Sequence, residues 1–261
     1  MKISEYPSGM PCWIDLATPD VGAARDFYTE LFGWTSRPAP GRDGGYTVLH
    51  RGDDPVAGIG PVGGEDEPTA WSWYAATEDI EAAAERVEDA GGRVLDAPVQ
   101  VGTNGRMGTF VDDHGTPFSV WEPRDFGGSR VVGEPGSLGW TELLTHEPHD
   151  AVGFYERTLG WSRKPGGEPD SSYTEFQIGG RSIAGMMPMT DGRYPDELPD
   201  HWMVYFCVAD TDAASQRVVE LGGGVSVPPR NTPAGRFSVV IDPAGAWFSL
   251  ISSLPPDSRE S

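Results

Sequence analysis

Trp13-Ile14-Asp15-Leu16, then Ala23-Ala24-Arg25-Asp26-Phe27-Tyr28, then Leu31-Phe32-Gly33-Trp34, is the stretch whose reading decides the fold, because the chain carries it twice. At a shift of 127 residues, Trp140-Thr141-Glu142-Leu143 leads to Ala151-Val152-Gly153-Phe154-Tyr155 and Leu159-Gly160-Trp161. Tyr46 falls on Tyr173, and Ala57-Gly58 on Ala184-Gly185, at the same shift. Further along, Asp79, Ala82, Ala83, Arg86 and Val87 match Asp210, Ala213, Ala214, Arg217 and Val218. Gly105-Arg106 with Asp112, Gly115, Phe118 and Ser119 matches Gly235-Arg236 with Asp242, Gly245, Phe248 and Ser249. The drifting offsets mark small loop insertions. Ordered matches in this number identify an internal duplication.

Each half divides again. Residues 13–17 read as a short strand. Thr18-Pro19-Asp20 reads as a helix start, with Ala24, Phe27, Tyr28 and Leu31 following at helical spacing. Gly33 tolerates positive φ and ends that helix. Residues 34–37, 46–50 and 56–60 are strand candidates between turn residues. The order then restarts: a strand at 71–76, a helix at 79–90 stopped by Gly91-Gly92, and strands at 93–95, 108–111 and 118–121. This is βαβββ twice per half and four times in the chain. The expected fold class is α+β: four βαβββ modules forming two domains, 8–124 and 136–254, joined by a Gly- and Pro-containing linker at 125–135.

The chain has 261 residues, long enough to bury a core without disulfides or a structural metal. Its only cysteines, Cys12 and Cys207, lie outside any CxxC spacing and read as buried free thiols, in keeping with a reducing, cytoplasmic location. With 40 acidic against 19 basic side chains, the formal charge is −21. Such a surface repels phosphate backbones and anionic lipid, so neither nucleic acid nor membrane is expected as a partner. The start, Met1-Lys2-Ile3-Ser4-Glu5, has no apolar signal-peptide core, and no apolar run of spanning length occurs. No G-x-S-x-G, P-loop or dinucleotide fingerprint in a βαβ unit is present.

Asp20 with Phe27-Tyr28, the Leu31 to Trp34 helix end, and the closing Asp112 to Val120 segment resemble the vicinal-oxygen-chelate superfamily, which holds glyoxalase I, bleomycin-resistance proteins and extradiol dioxygenases. Glu147 with Phe154-Tyr155, Leu159-Gly160-Trp161, and Asp242 to Leu250 repeat the resemblance. It covers nearly the whole chain and is most similar to tandem two-domain actinobacterial members labelled hydroxylases or antigens. It implies that paired modules curl into a cup around a ligand, giving two cups here, the two halves standing in for a homodimer of single-domain relatives. A monomer with an internal pseudo-dimer, able to dimerise further, is expected.

Enzymatic members hold a divalent metal in the cup through four strand positions. The resemblance places these at Trp13 and Trp140, near Ala57-Gly58 and Ala184-Gly185, at Trp73 and Val204, and at Ser119 and Ser249. Indole offers an N–H and no lone pair, Val and Ala offer nothing, and Ser alone is a weak ligand. No metal or other cofactor is therefore expected. His146 and His149 resemble a metal pair only superficially, and His114 reads as a turn residue. Arg106 and Arg236 are read as neutralising Asp112 and Asp242.

The chain has nine tryptophans. Trp13, Trp73, Trp121 and Trp140 fall at or near the cup positions, and alternate strand residues share a face. Asp15 and Glu142 are matched acids two residues past the first position. The expected ligand site is thus Trp13, Asp15, Trp73, Ser119, Trp121, Trp140, Glu142, Val204 and Ser249, taking an aromatic small molecule, against core packing for the indoles and inter-strand hydrogen bonds for the acids. Three functions follow: metal-independent sequestration of an antibiotic-like or polyketide metabolite, or service as an accessory to its biosynthesis; a lyase, isomerase or oxygenase with an atypical metal site; or a scaffold with filled cups.

Overall fold

The computed structural model describes residues 1–39, 45–64, 67–164, 173–190, 192 and 194–254. The first half runs β1 (Pro11–Thr18), α1 (Val21–Phe32), β2 (Thr35–Pro38), β3 (Thr47–Arg51), β4 (Asp54–Pro61), β5 (Ala70–Ala76), α2 (Ile80–Asp89), β6 (Arg93–Val101), β7 (Gly105–Val111) and β8 (Pro117–Pro123). The second half repeats it as β9 (Ser137–Thr145), α3 (Pro148–Leu159), β10 (Ser162–Arg163), β11 (Thr174–Ile178), β12 (Arg181–Pro188), β13 (His201–Cys207), α4 (Thr211–Glu220), β14 (Gly224–Thr232), β15 (Gly235–Ile241) and β16 (Trp247–Ser252). Two eight-stranded sheets result, ordered β2-β3-β4-β1-β5-β8-β7-β6 and β10-β11-β12-β9-β13-β16-β15-β14. The modules meet along the antiparallel pairs β1–β5 and β9–β13.

Local chemistry sets these boundaries. Asp20, Asp79 and Asp210 each accept the N–H three residues on, satisfying a donor that the first helical turn leaves open. Gly33 and Gly160 close α1 and α3 in the left-handed conformation, both at φ 69. Strands β6 and β14 extend well past the residues that β propensity alone marks. They are edge strands, where Pro98, Pro228 and Pro229 cost no ladder bond and their register shifts are absorbed.

The helix-bearing faces of the two sheets share one apolar core. Trp34, Trp71 and Phe32 meet Phe206 of the other half at 5.0–5.8 Å between ring centroids. Trp73 meets Trp202 at 4.7 Å and Trp161 at 5.7 Å. Polar contacts cross in reciprocal pairs. Tyr28 Oη donates to Asp242 (2.9 Å) and Tyr155 Oη to Asp112 (3.0 Å), while Trp71 and Trp202 donate to those same phenols. Trp34 Nε1 reaches Gly136 O and Trp161 Nε1 reaches Gly9 O, so the duplicated halves face each other about an internal pseudo-twofold axis. The segment between the sheets lies against the first half. Phe126 sits edge-on to Trp13, and Ser129 bonds Cys12 O and Val56 O. Gly128, at φ 111, passes so close that a Cβ would lie 2.4 Å from Cys12 O.

The expected pairing of Arg106 with Asp112 and of Arg236 with Asp242 does not form. Each Arg is the second residue of a seven-residue strand and each Asp follows its far end, about 20 Å apart at strand rise. Arg106 instead pairs with Glu81 of α2, and Arg236 with Asp212 of α4.

Candidate functional site

The opposite, helix-free face of each sheet carries a matched polar floor. Directly paired strand residues share a face, so Trp13 and Asp15 on β1 lie beside Tyr74 and Ser72 on β5. Gly58 on β4 pairs with Asp15, and Ser119 on β8 pairs with Tyr74. Asp15 accepts hydrogen bonds from Tyr46 Oη (3.0 Å) and Tyr74 Oη (3.1–3.2 Å). Trp13 Nε1 in turn donates to Tyr46 Oη at 3.0 Å. Tyr46 reaches the acid by lying across bare backbone. A Cβ on Gly58 would stand 1.9 Å from its hydroxyl, and one on Gly60 would stand 2.8 Å from its ring.

The second half rebuilds this arrangement. Glu142 accepts from Tyr205 Oη at 2.7 Å and from Tyr173, and Trp140 Nε1 donates to Tyr173 Oη at 2.8 Å. Gly185 leaves the same opening for Tyr173. Burial pushes the Glu142 carboxyl above the usual range, and the two phenol donors pull against that shift without cancelling it. Both phenols are held above their ordinary range, first by burial and then by the neighbouring carboxylate.

Around Asp15 the first sheet curls into a cup. Residues from five strands, among them Asp15, Gly60, Ser72, Tyr74, Met107, Thr109 and Ser119, line a cavity of about 450 Å³ together with Tyr46 and Glu67. This lies in the range of small-molecule sites.

Several expected site residues lie elsewhere. Trp73 and Val204 are not on the cup face. Period-two alternation puts Tyr74 and Tyr205 there, and turns Trp73 and Val204 into the shared core, each 1% exposed. Trp121 shares the face of Ser119 but is shut beneath Phe126, whose carbonyl accepts its N–H. Trp13 and Trp140 brace tyrosines. The wall of the first cavity is therefore phenol and carboxylate, not indole. Asp15, Glu142, Ser119 and Ser249 do fall on cup faces. Tyr46, Tyr74, Tyr173 and Tyr205 were missed. The signal for them was present, since each tyrosine has its counterpart tyrosine in the other half.

The residues do not fit the divalent metal that the fold family implies. The carboxylates of the cups are already engaged: Glu67 accepts from Gly63 N and Glu175 from Lys164 and Ser182, and the phenols beside Asp15 and Glu142 point their protons at those acids instead of lone pairs at a common centre. Among the described residues, no three His, Cys, Asp or Glu side chains converge. His146 is engaged with Asp200 at 2.7 Å, and His114 with Asp150 at 3.2 Å. Cys12 and Cys207 are both free thiols. No helix among the described residues is long and apolar enough to cross a membrane.

Two curled sheets of paired βαβββ modules, each with an acid on its open face, define a tandem cup protein of the glyoxalase type. The family model agrees: that of the Glyoxalase/Bleomycin resistance protein/Dioxygenase superfamily matches residues 12–120 and again 137–250, and the chain belongs to this superfamily. It is 40% identical over 266 residues to the anthracycline biosynthesis protein DauV of Streptomyces sp. (strain C5), spanning 95% of each chain. It is 36% identical over 262 residues to the putative glyoxylase CFP32 of Mycobacterium bovis, spanning 97% of this chain and 98% of that one. The Mn(II)-bound glyoxalase from Novosphingobium aromaticivorans shares the fold, with a TM-score of 0.66 at 17% identity over 95% of this chain and 83% of that one.

Proposed function

We propose that the first cup binds a planar, hydroxylated aromatic metabolite of polyketide type without a metal, to sequester it or to present it to a biosynthetic partner. The observation that carries this reading is the Asp15–Tyr46–Tyr74 trio at the floor of the cavity. A carboxylate held by two phenols accepts further hydrogen bonds from ligand hydroxyls, and aromatic rings beside it stack on or edge a flat ligand. Thr109 and Ser119 add hydroxyls on the facing wall, and Met107 adds a soft apolar surface. The Streptomyces relative is named for anthracycline biosynthesis, which supports the same ligand class.

Titration with quinizarin, a planar dihydroxyanthraquinone, tests it through quenching of intrinsic fluorescence. Saturable binding that survives chelator is expected. Asp15→Asn removes a charged acceptor and is expected to weaken it about tenfold or more, as loss of a charge-assisted hydrogen bond should. No saturable binding across a panel of hydroxylated anthraquinones sinks the proposal.

A second reading draws on the same trio. A carboxylate within hydrogen-bond reach of two phenols is an acid–base set, so the cup suits an isomerase or lyase that moves a proton on such a ligand. Mass analysis of the incubated ligand separates the two, because only an enzyme returns it changed.

A further inference from the structure

We infer that the chain takes one ligand, in the first cup, and that the second cup is filled by the protein's own side chains. The inference rests on the binding reading above and adds its stoichiometry. Strand register makes the two faces comparable residue by residue, and both keep the acid, the two tyrosines and the bracing Trp. Five surrounding positions become bulkier or more apolar, whereas Val48, paired with Gly58, becomes Glu175, paired with Gly185, and Trp121 becomes Ile251. Ala17 and Gly60, paired across β1 and β4, become Leu144 and Met187 across β9 and β12. Ser72, opposite Asp15, becomes Met203, opposite Glu142. Met107 and Thr109, beside Trp121 and Ser119, become Phe237 and Val239, beside Ile251 and Ser249.

Small residues thus give way to larger apolar ones at three of the five positions, Thr109 gives way to the similarly shaped but apolar Val239, and Met107 to Phe237. The replacements pack as one cluster, with Tyr194 and Leu198 packed against it from the β12–β13 connection. Met203 is 7% exposed and Met189 is 4% exposed. Leu144 is 8% exposed where its counterpart Ala17 is half-buried, and Ser72, the counterpart of Met203, is half-buried beside the cavity, while Phe237 and Val239 are half-buried as Met107 and Thr109 are. Glu142 itself is 7% exposed, whereas Asp15 is half-buried. A ligand moving into the second cup would have to displace close-packed side chains.

The test uses the full chain. Calorimetric titration with quinizarin is expected to give one site. Gly60→Met with Thr109→Val, which copies the second cup into the first, is expected to weaken binding at least about tenfold. Met203→Ser with Val239→Thr, which copies the first cup into the second, is expected to add a second site. Peroxide footprinting needs no ligand. Met107 and the exposed Met1 are expected to oxidise readily, while Met189 and Met203 stay reduced. Two equivalent sites in the unmodified chain, or oxidation of Met203 at the rate of Met107, overturns the inference. If quinizarin does not bind at all, the binding reading is what fails, and the footprint decides this one alone.

Discussion

Glu142 is a carboxyl in an apolar packing, and its protonation links the second cup to stability. Burial raises its pKa in the folded chain above the unperturbed 4.5. The folded state therefore holds a proton that the unfolded chain releases first. Stability from this group is complete below pH 4.5 and is lost as pH rises through the raised native value. Glu142→Gln is expected to unfold like the parent chain below that pH and to be the more stable of the two near neutrality, read by urea denaturation across pH. A second outcome belongs to the first cup. Gly58→Ala puts a methyl where the Tyr46 hydroxyl lies and is expected to cost about tenfold in quinizarin affinity, with Ala57→Gly as a control on the opposite face. At this scale the sequence was half legible. Asp15 and Glu142 stood out as matched acids two residues past matched tryptophans. Trp73 and Tyr74 are adjacent, both aromatic and both buried, so composition cannot say which faces the ligand. Only the pairing of Tyr74 with Trp13 decides it.

Elements were the most readable level, because helix caps and left-handed glycines act within a few residues of themselves. Asp20 and Glu147 occupy equivalent positions ahead of α1 and α3, yet only Asp20 caps through its side chain, and α3 begins instead with Pro148. Asp20→Ala is expected to cost about 1 kcal/mol and Glu147→Ala close to nothing, by chemical denaturation of the two variants side by side. Equal losses would show that both helix N-termini are held alike. Sheet edges were harder to read. Residues 93–95 looked like the whole of β6, because Asp96 and Pro98 lower strand propensity. At an edge those residues are tolerated, and an edge is a property of the assembled sheet that no local window contains.

For the whole molecule, duplication was read directly, but its consequence was not. Two cups suggest two independent domains, whereas the core belongs to neither half alone. Phe206 closes over Trp34 and Trp71, and Trp161 and Trp202 close over Trp73. The reciprocal Tyr–Asp bonds join the halves in the same layer. Removing either phenol hydroxyl leaves a buried carboxylate and an indole N–H short of a partner, so Tyr28→Phe and Tyr155→Phe are each expected to cost about 1–3 kcal/mol. The same geometry sets the cooperativity. A half cut free at the linker exposes the indoles and phenyl rings that its partner covers, with only its own helices left to hide them. Fragments 1–135 and 136–261 are therefore expected to lack a sharp thermal transition separately, to regain near-UV circular dichroism when mixed, and to melt as one unit when joined. An isolated half that unfolds cooperatively near the midpoint of the intact chain would place the stabilising contacts within each sheet instead of between the two.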